Sequence, residues 1–145
     1  MEFITGLHAT ANLNVEETRR RAEQAGFTAF VFPETGIVSR ESFFDAVRAT
    51  FPLDPPLVGF RSWDALSDSL WEGLYRHPSQ KIAILWKNTR AIADIASTEF
   101  DTALAVLSDV AKSLADARAT CNQPKDVAIF VECYPSQRAS QRGRN

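Results

Sequence analysis

The chain has 145 residues with a net charge of −2, 45% hydrophobic and 23% charged, which suits one globular domain with a sizeable core. The first fifteen residues hold no basic cluster or long apolar run, and no stretch nears the roughly 18–20 apolar residues of a membrane helix, so neither a signal peptide nor a membrane partner is expected. The tail Tyr134–Asn145 carries three arginines and no acid, so residues 1–133 hold −5 (−2 less +3), a balance that disfavours nucleic acid and favours basic partners.

Residues 3–7 are a candidate strand, and Asn14 is placed to cap a helix through Ala25 whose early Glu16 and Glu17 suit its positive end. Thr28–Phe32 (TAFVF) is a continuous apolar run, predicted as a strand covered on both faces. Ser39–Phe51 places Phe43, Phe44, Val47 and Phe51 on one helical face. The loop Pro52–Arg61 (PLDPPLVGFR) is stiffened by three prolines and offers Leu57, Val58 and Phe60 as apolar groups. A second amphipathic helix spans Ser62–Tyr75, with Trp63, Leu66, Leu70 and Leu74 as its buried side. Ile82–Trp86 (IAILW) repeats the buried-strand pattern, followed by a short helical piece at Thr89–Ile95. Thr98 with Asp101 three residues on resembles a capping box, opening a helix that buries Phe100, Leu104, Leu107, Ala111 and Leu114. Val127–Val131 (VAIFV) is the last predicted strand.

Helical crossovers between buried strands imply parallel pairing. The fold class is therefore α/β, a small parallel sheet of about three strands packed with helices over residues 28–133. Residues 1–27 read as an added strand-helix unit. The tail from 134 to 145 lacks apolar groups and reads as a disordered, solvated terminus in preference to a nucleic-acid arm. Cys121 and Cys133 have no metal-ligand spacing, and a lone reduced pair without an export signal points to the cytoplasm.

Catalytic constellations are scarce. His8 and His77 sit in predicted loops without a motif, and no glycine-rich phosphate loop, metalloprotease motif or nucleophile elbow occurs. No catalytic residue, cofactor or metal is implied. The informative segment is the helix SWDALSDSLWEGLY, where Asp64, Asp68 and Glu72 at i, i+4 and i+8 stack three carboxylates along one side. Like charges at this spacing cost roughly 0.2–0.5 kcal/mol per pair. Asp64 is eased by the helix start, whereas Asp68 and Glu72 lie too far along. Trp71 and Tyr75 border the stripe, as aromatics do at protein interfaces. The competing reading is a solvated face with Trp71 wedged into the core, and the proline loop is equally a core connection.

The order of TAFVF, amphipathic helix, proline loop, SWDALSDSL, IAILW, short helix, ALAVLSDVAKSLA and VAIFVE resembles the barstar family of intracellular ribonuclease inhibitors. The resemblance implies that this helix and its loop plug the basic active site of a secreted ribonuclease, with acids standing in for substrate phosphates. By motif it makes Asp64 the first acid, Asp68 the anchoring acid, and Asp109 of AVLSDVAK the contributing acid of the last long helix. It also departs from the family. Val58, Gly59 and Phe60 stand where barstar has a tyrosine pair followed by glycine, and Ser67 replaces an aromatic. The expected partner surface is thus Phe60, Asp64, Ser67, Asp68, Trp71, Glu72 and Asp109. The expected partner is a cognate toxin, a basic ribonuclease or a toxin of another activity. A general protein-interaction module and a small enzyme are the competing functions.

Overall fold

The computed structural model describes residues 2–133; the basic tail and the expectation of disorder attached to it lie outside the described residues. The elements run β1 (Gly6–Thr10), α1 (Val15–Gln24), β2 (Thr28–Val31), α2 (Arg40–Thr50) and α3 (Trp63–Arg76). They continue with β3 (Lys81–Trp86), α4 (Arg90–Ile95), α5 (Ser97–Leu114) and β4 (Asp126–Glu132). The side chains of Asn14, Ser39 and Ser62 accept the backbone N–H of the third residue on, capping α1, α2 and α3. Gly26, at φ 87°, ends α1: its N–H reaches Glu23 O and that of Phe27 reaches Ala22 O, a left-handed stop that turns the chain into β2.

The sheet is fully parallel in the order β1-β4-β3-β2. It therefore has four strands instead of about three, because the N-terminal strand pairs with β4. That strand occupies Gly6–Thr10 and not 3–7. β2 is an edge strand and only half buried along Thr28–Val31: Phe30 and Val31 pack on opposite cores, so both faces are covered, but less fully than the composition of TAFVF implies. The helix expected to open with a Thr98 capping box instead begins at Ser97 without a side-chain cap. Its cap residue Ala96 also ends α4, and its N–H is bonded to Ile92 O.

Alternation sorts the central strands between two cores. Ile82, Ile84, Trp86, Val127, Ile129 and Val131 face α2, α3 and α5. Ala83, Leu85, Ala128 and Phe130 face Leu13, Val15 and Ala22 at and within α1. The larger core centres on Trp86, fully buried, with Phe32, Phe43 and Phe100 ring centroids at 4.9, 5.1 and 5.5 Å. Each such side chain contributes roughly 1.5–3 kcal/mol on burial.

Two buried ionisable residues tie loops together. Glu132, 4% exposed, accepts from Leu13 N and Asn88 N, both at 3.0 Å, joining the loops after β1 and β3. Those donors offset the cost of desolvating a carboxylate. Lys125, 6% exposed, donates to His77 O and, at 2.8 Å, to Ser79 O. His77 Nδ1 accepts from Ser79 N at 3.0 Å. Burial, and then the charge of Lys125, hold the His77 imidazole below its ordinary value.

Two predictions follow from this packing. His77 is favoured neutral in the fold, so its stabilising contribution is complete above about pH 6.5 and is lost as pH falls toward the lower folded value. The urea midpoint should drop between about pH 7.5 and 5.5, and His77→Asn, which keeps an acceptor for Ser79 N without titrating, should flatten that drop. Gly73 of α3 packs against the loop backbone so closely that a Cβ there would meet Pro52 O at 1.8 Å. Alanine would gain about 1 kcal/mol in helix propensity. Displacing a backbone carbonyl outweighs it, since overpacking costs about 1–3 kcal/mol and occasionally more. Gly73→Ala should therefore lower the urea midpoint.

Candidate functional site

α3 is set by the capped Ser62 at one end and by its burial pattern. Leu66, Ser69, Leu70, Gly73 and Leu74 are buried, while Trp63 is only half buried. Asp64 and Asp68 lie on the exposed side. Asp64 occupies the second helical position, where the backbone N–H groups favour an acid.

The preceding loop is fastened to α3 and α2 at several points. Asp54 N donates to Ser69 O at 3.1 Å, and Arg76 reaches the Asp54 carboxylate at 3.2 Å. From α2, Arg48 donates to Gly59 O at 2.5 Å and Leu57 O at 3.4 Å, and Arg40 to Arg61 O at 3.4 Å. The Arg40 guanidinium also lies 5.6 Å from the Trp63 ring centre. Leu57 is buried at 6%, a correction to its expected display. Val58 at 88% and Phe60 at 38% are the apolar groups the loop presents. The loop is thus both a core connection and a display.

Four of the expected residues come together. Ser67, Asp68 and Trp71 from α3 and Asp109 from α5 line one crevice of about 330 Å³ with Val110 and Ser113. Asp68 and Asp109 are exposed, and among the described residues neither they nor Asp64 form a hydrogen bond or ion pair. Phe60 and Asp64 lie outside this crevice, toward the loop end of α3. Trp71 is half buried, donates from Nε1 to Ser113 Oγ at 2.9 Å and stacks on Tyr75 at 4.9 Å. Tyr75 in turn donates to Thr120 O at 2.8 Å. These aromatics join α3 to α5 and its following loop, so Trp71 is partly structural as well as crevice-lining.

Glu72 differs from the expected open stripe. It is half buried and paired with Arg76 at 2.9 Å, and that hydrogen bond, followed by the charges of Asp54 and Glu72, raises the Arg76 guanidinium above its ordinary value. The unpaired stripe is Asp64 and Asp68, joined from α5 by Asp109. Sequence reasoning missed the loop buttresses Arg40 and Arg48 and the crevice residues Val110 and Ser113. Ser113 was reachable, since it stands four residues after Asp109 and shares its face.

Both histidines serve the scaffold. His8 stacks on Phe130 at 5.3 Å and its Nε2 is 2.6 Å from Ile4 O, while His77 belongs to the Lys125 cluster. Among the described residues, no group of three or more His, Cys, Asp or Glu is placed to hold a metal. No helix there is long and apolar enough to cross a membrane.

No curated protein and no solved structure matches the chain. The family model described as Barstar (barnase inhibitor) matches residues 27–132, from the residue before β2 to the last residue of β4. An acid-bearing helix clamped to its loop sits within that span, and the chain belongs to the barstar family of inhibitors.

Proposed function

We propose that this protein is an immunity protein of the cytoplasm, which neutralises a cognate ribonuclease or other toxin by placing α3 and its loop in a basic active-site cleft. The observation that carries this reading is the crevice where Asp68 and Asp109 stand on two helices without partners of their own. Carboxylates in that state keep their full capacity for a partner's cations, and the helices hold them in place before contact, so little ordering is required. The negative body steers a basic partner toward them. Cys121 is an exposed free thiol, in keeping with a reducing compartment.

A toxin that is not a nuclease is the second reading. Support for it lies at the loop end of α3, where Arg61 is exposed beside Val58 and Phe60 and Arg40 binds its carbonyl. Cations there do not imitate phosphate. They favour a cleft of mixed charge. The co-expression test is direct: the chain should restore growth to cells made to express a basic toxin domain taken from the neighbourhood of its gene, and failure would remove the immunity role.

Asp68→Ala should weaken binding to that toxin by at least about 2 kcal/mol, the general hot-spot threshold, for which a barstar aspartate is the standing illustration. Truncation would leave the partner's buried cations unpaired, the costly kind of loss. The denaturant midpoint should stay level or rise slightly, because repulsion from Asp64 is relieved. Affinity by calorimetry and the midpoint by urea titration decide it together. Lost affinity with lost stability would make Asp68 a structural residue.

Association should also slow steeply with added salt, since charge steering is screened beyond a Debye length of about 8 Å at physiological ionic strength. Stopped-flow measurement should show the dissociation rate changing far less. A flat association profile would assign recognition to Val58 and Phe60 instead of the acids.

A further inference from the structure

The approach to α3 carries a charge of the wrong sign. Arg61 immediately precedes the cap Ser62, so it is placed at the end of the helix where free backbone N–H groups are already positive. A second cation is close by, since Arg40 donates to Arg61 O at 3.4 Å. Arg61 is exposed, and its side chain forms no hydrogen bond or ion pair among the described residues, although Asp64 stands three positions on. Local electrostatics would place an acid or a neutral residue here. A residue that breaks a local rule without a visible gain inside the chain points to a role outside it.

The backbone that carries Arg61 is held still. Arg48 donates to Leu57 O at 3.4 Å and to Gly59 O at 2.5 Å, on either side of Val58, and is itself tied to Asp45 at 2.7 Å. Gly59 takes φ 75° within that clasp, a left-handed conformation that glycine adopts without strain. Val58 and Phe60 are thereby kept exposed, and Arg61 follows them directly. A guanidinium is weakly hydrated and offers a planar fork that matches a carboxylate. Apolar contacts around such a pair exclude the water that would otherwise weaken it.

A cleft that is basic throughout would attract Asp64 and Asp68 but repel Arg61. We infer that Arg61 pairs with a carboxylate on the rim of the partner's cleft, beside an apolar patch that receives Val58 and Phe60. It thus selects that toxin over toxins whose clefts are basic throughout, since a misplaced cation counts against the wrong partner. The inference rests on the immunity reading and names a specificity-determining residue within it.

Charge reversal tests it, because the two kinds of partner give effects of opposite sign. The full chain carrying Arg61→Glu, Arg61→Gln or Asp68→Ala is measured by calorimetry and stopped flow against the basic toxin domain from the neighbourhood of its gene. Arg61→Glu makes an acidic face more acidic, yet it should raise Kd at least about tenfold, and Arg61→Gln about threefold. The loss should appear as faster dissociation, with association unchanged or quicker because general attraction to a basic cleft has grown. The urea midpoint of Arg61→Glu should stay level or rise, since an acid suits the start of α3, which separates lost affinity from lost fold. Unchanged or tighter binding by Arg61→Glu, with Asp68→Ala still weakening it, would overturn the pairing and leave the immunity reading standing. No binding by the unaltered chain, or unchanged affinity in all three variants, would remove that reading and the pairing with it.

Discussion

The approach of α3 to the loop before it governs the candidate face. Position 73 has no side chain, so Pro52 O lies where a Cβ would stand, and helix and loop meet backbone to backbone. Once they touch there, Asp54 falls within reach of Ser69 O and of Arg76, and Leu57 is drawn into the core. The remaining loop must then arch outward to return to Ser62, which puts Val58 and Phe60 at the surface beside the start of α3. A glycine buried inside a helix is otherwise a conformational liability of about 1 kcal/mol. Here it is what allows a proline-rich connection to share a surface with an acidic helix.

Charge on this face is divided between two tasks. Arg40, Arg48 and Arg76 spend their hydrogen-bonding capacity inside the protein, on loop carbonyls and on Asp45, Asp54 and Glu72. Asp64, Asp68 and Asp109 have no such engagements among the described residues. Surface pairs of the first kind add little stability, but they restrict where the loop can go. The arrangement separates groups that shape the surface from groups that remain available to another molecule.

Much of this was legible in the sequence, and the exceptions have physical causes. IAILW and VAIFV lie in the middle of a sheet covered on both faces, so their continuous apolar character matches their position. TAFVF has the same character at an edge, where its composition overstates its burial. GLHAT carries glycine, histidine and threonine, and it becomes a strand through pairing with residues more than a hundred positions away. The acids of α3 were readable from helical spacing, and Asp109 from family resemblance. Their common crevice was not, because it depends on how α3 packs on α5 through Trp71 and Ser113. Glu72 shows the opposite failure. Its partner Arg76 stands at the favourable i, i+4 position, and a stripe read for acids alone overlooks it.

The strand order has a consequence for how the protein comes into being. β4 is the last of these four strands to be synthesised, yet it lies between β1 and β3, with Gly6 registered against Ala128. On the ribosome, β1 has no neighbour to pair with until residue 132 has emerged, and Glu132 itself supplies the clasp between the loops after β1 and β3. Contacts of such long sequence separation also slow folding, because a large loop must close first. A nascent chain stopped anywhere short of β4 therefore has an acidic helix but no finished sheet to hold it, so the emergence of β4 sets the moment at which the scaffold can exist.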